Sequence, residues 1–289
     1  VLQDAGLTSG DEQTLTVNDE LWLNAQFDAL SGDNNDDLAV ADGVTIRRTE
    51  GSVGGALTEA PDFNGEVSLV YDRIDDGRDS DPIAAGQTPD FEAGPEVPAS
   101  DNSNATIVEL TVDVGPSGQI AGGPSDGFVT FASLGSGVSS NPVTVTDTVD
   151  LVSGYLEHGT DGSNDLRRLT LSDGAVFAQK NGKIEEYSGT TRDNIVASSY
   201  TLRYYPTASR LGAGPQGFLG SGAVTALEFI DGPVESSSAA DRDLQADRTV
   251  GSTLVERSGA DAGTSEFDLS CNTLTASSTA NIAAGEVSN

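Results

Sequence analysis

A single cysteine, Cys271, in 289 residues excludes an intramolecular disulfide and leaves burial, backbone pairing and ions to hold the fold. His158 is the only histidine, Trp22 the only tryptophan, and methionine is absent. A nucleophilic triad needs a base, and a lone histidine in a Gly/Asp-rich turn, with no G-x-S-x-G elbow anywhere, leaves that chemistry without its parts. One His and one Cys far apart in the chain cannot supply three soft ligands to zinc. No Gly-rich phosphate motif follows a strand and opens a helix, so no nucleotide site is expected. No run approaches the roughly 18 consecutive apolar residues of a membrane span, and Val1-Leu2-Gln3-Asp4 has neither the charged nor the apolar region of a signal peptide. Membrane insertion is therefore not expected, while Val1 fits either loss of an initiator Met or removal of a leader.

Positive charge is equally scarce. The chain carries 46 Asp+Glu against 14 Lys+Arg, a net charge of -32, with 30 Asp and two lysines, Lys180 and Lys183. At ordinary ionic strength so many like charges repel across a compact surface, whereas near 1 M salt the screening length falls to about 3 Å and the repulsion fades. Short hydrated Asp side chains keep the surface wet, and loss of Lys removes long apolar stems where salt already strengthens apolar association. The composition predicts a protein of an extreme halophile, and a surface field that repels phosphates predicts no direct nucleic-acid binding. Disorder is opposed by 36% hydrophobic residues falling in short alternating runs.

Those runs predict strands at 20–27, 44–48, 66–72, 106–114, 128–132, 143–152, 166–171, 175–179, 183–187, 195–205 and 224–230, each bounded by Gly, Pro, Asn or Asp. Only 236–247 reads as a helix candidate, with serines before alanines. The expected class is all-β, as one or two β-sandwich or β-barrel domains with long loops and an extended C-terminal arm. The expected division is a first β-domain over 1–152, a second over 153–230, and an arm over 231–289 too poor in apolar residues to bury much. Within the first domain, 72–104 holds Pro82, Pro89, Pro95 and Pro98 among many acids and reads as a long acidic loop. Asn181-Gly182 predicts a type I′ hairpin joining 175–179 to 183–187. No internal repeat is evident.

Candidate chemistry is sparse. Trp22 lies in an alternating strand and reads as a core residue. Glu185 and Glu186 adjoin on a strand and so point to opposite faces, and the abundance of acids removes any signal for a glycosidase pair. Asp33, Asn35 and Asp37 stand at the first alternate positions of an EF-hand-like loop, where Ca2+ or another hard cation is the expected ligand, but Leu38 and Val44 occupy the places of its glycine and bidentate Glu. Asp161, Ser163 and Asp165, and the acids of 72–81, repeat the spacing in what reads as solvated turns. Asn104 opens the only N-x-[ST] triplet, a glycosylation candidate.

An acidic all-β chain with strands over 15–230, long arms and no catalytic motif resembles the structural proteins of haloarchaeal viruses. The resemblance implies a capsid, turret or tail subunit of a virion, not an enzyme, that assembles with itself or with other virion subunits through loops and arms. The alternative expectation is a subunit of an extracellular filament or surface layer, joined by strand addition.

Overall fold

The computed structural model describes residues 14–23, 37–48, 62–63, 66–72, 90–92, 106–114, 128–130, 143–158, 169–180, 182–186, 195–197, 199–205, 223–231, 247–257, 266–268, 272–282 and 286–288. These residues are all-β. The strands are, in chain order, β1 (Thr14–Val17), β2 (Glu20–Leu23), β3 (Asp37–Val40), β4 (Val44–Arg48), β5 (Asp62–Phe63), β6 (Glu66–Asp72) and β7 (Asp90–Glu92). There follow β8 (Thr106–Asp113), β9 (Phe128–Thr130), β10 (Val143–Ser153), β11 (Tyr155–His158), β12 (Leu169–Leu171), β13 (Ala175–Gln179) and β14 (Lys183–Glu186). The last are β15 (Ile195–Ala197), β16 (Ser199–Tyr204), β17 (Ala223–Asp231), β18 (Arg248–Arg257), β19 (Glu266–Asp268), β20 (Leu274–Ile282) and β21 (Glu286–Ser288).

Among the described residues every strand pair is parallel, and the main sheet runs β2-β4-β6-β8-β10-β13-β16-β17-β18-β20. Parallel neighbours cannot be joined by a tight turn, so the chain must travel a dozen or more residues between them. Here it returns each time to add the next strand on the same side, which makes the parallel sheets a β-solenoid. Shorter sheets accompany the ladder, β1-β3-β5, β7-β9-β11-β14 and β19-β21, and off its path β12 pairs with β10 and β15. At about 4.8 Å between strands the ten-strand ladder is about 43 Å long.

The all-β expectation holds, but the described residues form neither a sandwich nor a barrel. Period-2 alternation marks a strand with one buried face, and it reads the same in an antiparallel sandwich and in a stacked parallel coil. What separates them is pairing at long range. The repeat that is hard to find in the sequence is present in space: Val176, Thr201, Ala226 and Ser252 occupy one column, 25 or 26 residues apart. Only the inward/outward alternation is constrained from rung to rung, so sequence identity between rungs is low.

The core consists of stacked columns. Ile46, Leu69, Leu110, Val149, Phe177, Leu202 and Leu227 lie one above the next, and each is fully buried. A second column runs Arg48, Tyr71, Val112, Leu151, Gln179 and Tyr204, also buried. The buried Gln179 amide donates from Nε2 to the carbonyl of Gly182 at 3.3 Å. The ladder crosses the expected boundary at 152/153 inside β10 and continues into the expected arm, where β18 and β20 add two further rungs.

The Asn181-Gly182 hairpin is not formed. β13 pairs with β10 and β16, and β14 pairs with β11, all in parallel. Gly182 is instead a place of close approach: a Cβ there would lie 2.7 Å from the Leu151 Cβ, and its N–H donates to the Leu151 carbonyl at 3.1 Å. Positive φ is used at corners. Asp42-Gly43 between β3 and β4, and Asp173-Gly174 between β12 and β13, turn the chain with φ of 80° and 83° at the glycines. Each of these glycine N–H groups donates to the next rung, to Glu66 O at 2.7 Å and Ser199 O at 2.9 Å. Of the expected 72–104 loop, Asp72 ends β6 and residues 90–92 form β7 against β9, while 73–89 and 93–104 lie outside the described residues, as do 236–246 of the helix candidate.

Candidate interaction surfaces

The outward face is organised by the scarce cations. Because successive residues of a strand alternate faces, Arg47 points away from the Ile46–Arg48 side of β4, and the parallel register places it beside Trp22 of the rung below and Val70 of the rung above. Its Nε lies 3.1 Å from Glu20 Oε1, its Nη1 2.5 Å from Asp72 Oδ2, and its guanidinium sits 5.0 Å from the Trp22 ring centroid. One side chain thus ties three rungs together. Trp22 is half-buried on this outward face under Arg47, which corrects its expected core role.

Two further pairs repeat the arrangement. Lys180 Nζ reaches Asp150 Oδ2 at 2.7 Å and lies 5.5 Å from the Tyr205 ring centroid. Arg203 Nε donates to Glu228 Oε2 at 2.7 Å, between β16 and β17. This hydrogen bond raises the Arg203 pKa, against a smaller opposing effect of burial. Carboxylates also bond backbone across rungs: Asp42 Oδ1 accepts from Glu66 N at 2.8 Å and Asp247 Oδ1 from Thr273 N at 2.7 Å. Where the register shifts, hydroxyls meet the interrupted ladder, with Thr225 Oγ1 donating to Tyr200 O at 3.0 Å and Ser277 Oγ to Val250 O at 3.1 Å. All of these contacts join one turn of the chain to the next.

The remaining candidates are not brought together. Asp37 begins β3 opposite Thr14, whereas Asp33 and Asn35 lie outside the described residues. Asn104, Cys271, Asp161, Ser163 and Asp165 also lie outside them. His158 ends β11 in register with Glu186, and Glu157 is in register with Glu185. Among the described residues no group of three or more His, Cys, Asp or Glu is placed to hold a metal ion, and no helix is long and apolar enough to cross a membrane.

The ends of the ladder form a third surface, which strand-by-strand reading missed. Leu21 heads the Ile46 column and Ala280 closes it, beyond Leu227 and Thr253. Leu21 and Val17 at one end, and Leu274 and Ala276 at the other, pack only partly buried against the core, and Ala280 is exposed. β20 (LTASSTANI) carries no charged residue, alone among the strands of six or more residues. A nine-residue uncharged stretch is legible in the sequence, but its position at a sheet edge is not. Compared with protein-family models, with curated proteins and with solved structures, the chain matches none.

Proposed function

We propose that this chain is a structural subunit of a halophilic archaeal virus particle, serving as a stiff element of its capsid, turret or tail. The observation that supports the reading is the ten-strand parallel ladder whose cations are paired from one rung to the next. Such an object spans distance and resists bending, because every rung between its two ends is bonded to both neighbours. Its acidic composition suits a surface bathed in concentrated salt, where screening removes the repulsion that would otherwise oppose assembly. The chemistry is that of a scaffold, with no enzymatic step assigned to it.

A second reading, a subunit of an extracellular filament or surface layer, is favoured by one observation: the long uncharged edge of β20, which suits strand addition. Immunogold electron microscopy of the native halophilic culture in molar salt separates the two. Label on purified virions supports the first reading and label along cell-surface filaments the second. Label confined to the cell interior overturns both.

A further inference from the structure

We propose that copies of this chain join head to tail, the β20 edge of one adding, parallel and in register, to the β2 edge of the next. This contact rests on the structural reading above and names the strands that make it.

Exposed strand edges are normally guarded by charge, proline or short length, because their unpaired N–H and C=O groups accept any other strand. β20 has none of these guards over nine residues. Its polarity is set at its start, where Arg248 N donates to Thr273 O at 2.8 Å and Thr273 N donates to Asp247 Oδ1 at 2.7 Å, both across to the β18 side. Amide directions alternate along a strand, so Leu274 and Ala276 turn their backbone groups away from β18 toward the open edge. At the other end, β2 contains one charged residue, Glu20, and Arg47 already pairs with it. In a chain of net charge -32 these two ends let copies approach without setting acid against acid.

The occupant is a second copy because the two ends match. Both strands run the same way along one ladder, and the column through Ile46 and Leu227 continues from Ala280 of one copy to Leu21 of the next. The same register sets Thr279 opposite Glu20 and Asn281 opposite Trp22. Stacking covers Leu21 and Val17 on one side and Leu274 and Ala276 on the other, the core residues that the ends leave partly exposed. The surfaces differ, so the contact is heterologous, and because each copy continues the ladder of the one before along its own stacking direction, repetition gives a filament.

Sedimentation and electron microscopy of the full chain in molar KCl test the contact, with Trp22, the only tryptophan, reporting on the β2 end. The expected result is linear oligomers that lengthen with protein concentration while Trp22 becomes less quenched by acrylamide. Ala280→Asp should weaken association at least about tenfold, since it sets a carboxylate in the apolar column against Leu21 of the next copy. Because its β2 end is intact, the same variant added to wild type should cap and shorten the oligomers. Thr279→Asp, on an exposed β20 position set opposite Glu20, is the second variant should Ala280→Asp lose its β circular dichroism. Monomers at every concentration, closed dimers with unchanged Trp22 quenching, or charge variants that associate like wild type would overturn the proposal. Virion labelling beside a strictly monomeric protein would sink this contact alone, and filaments in vitro without label on virions or cell surface would sink the functional reading alone.

Discussion

The middle of the ladder and its two ends are built from the same column of side chains and behave as different materials. Leu110, Val149, Phe177 and Leu202 are fully buried, whereas Leu21 is partly buried and Ala280 exposed, although all six belong to one register. No local property of β20 buries or exposes it. A rung in the middle is covered from both sides and a rung at the end from one, so burial here is supplied by neighbours in the stack. The sequence has adapted to that difference, with large aliphatic and aromatic residues in the middle and Leu, Ala, Ser and Thr at the C-terminal end.

The largest expected effect is that of salt. With net charge -32, the folded form should persist in molar NaCl or KCl and loosen below a few tenths molar, as screening is withdrawn. Hydrogen exchange along a falling salt series should release the amides of β2 and β20 first and those of β8, β10 and β13 last, because end rungs open with one interface lost and middle rungs with two. A circular dichroism midpoint that stays fixed between about 0.1 and 3 M would remove the halophile argument.

Next in size is truncation within the column. Phe177→Ala should destabilise by about 3–5 kcal/mol, since the ring is fully buried between Val149 and Leu202 and neither neighbour can fill its volume. Leu274→Ala at the end should cost less than about 2 kcal/mol, because the side chain is only partly covered. Denaturant unfolding of both variants in molar KCl checks the ranking. Equal losses would mean that the end rung is covered as fully as the middle.

The strands are legible where large apolar residues alternate along one face. Val44–Arg48, Glu66–Asp72 and Ala175–Gln179 are strands within the bounds that alternation predicts, because burial on one face leaves a period-2 trace in the residues themselves. β18 and β20 fall within what the sequence alone reads as an arm. RTVGSTLVER and LTASSTANI offer few large apolar residues, and their place in the sheet depends on partners 25 or more residues away. Parallel pairing leaves no turn signature to read, and so a plausible Asn-Gly turn drew β13 and β14 into a hairpin they do not form. The outward cation pairs were invisible for the same reason: Arg47 meets Glu20 and Asp72 only through the stack.

Gly182 distinguishes the ladder from a hairpin. A hairpin requires positive φ there, and Gly182→Ala would be unfavourable through backbone strain; in the ladder the reason is a Cβ placed 2.7 Å from the Leu151 Cβ and 2.9 Å from its carbonyl. The expected loss is about 1–3 kcal/mol, as for overpacking in a middle rung. Leu151→Gly removes the Cβ that the new methyl group meets, so the double variant should recover part of the loss relative to the sum of the singles. Strict additivity would show that the two residues do not meet.

The smallest effect is expected at an ion pair. Arg203 and Glu228 have side chains 36% and 22% exposed, and a partly solvated pair of this kind contributes less than about 1 kcal/mol, falling further in molar salt. Arg203→Gln should therefore shift the unfolding midpoint slightly, and a double-mutant cycle with Glu228→Gln should give a coupling below about 1 kcal/mol. Glu228 raises the folded-state pKa of Arg203, so the arginine's contribution is fully present below its ordinary range and is lost only as pH climbs above it. Across pH 6 to 9 the difference between wild type and Arg203→Gln should stay level. A difference that grew toward neutral or mildly alkaline pH would place the interaction on some other titrating group, and one that survived undiminished in 3 M KCl would make this outward pair as dry as the core column behind it.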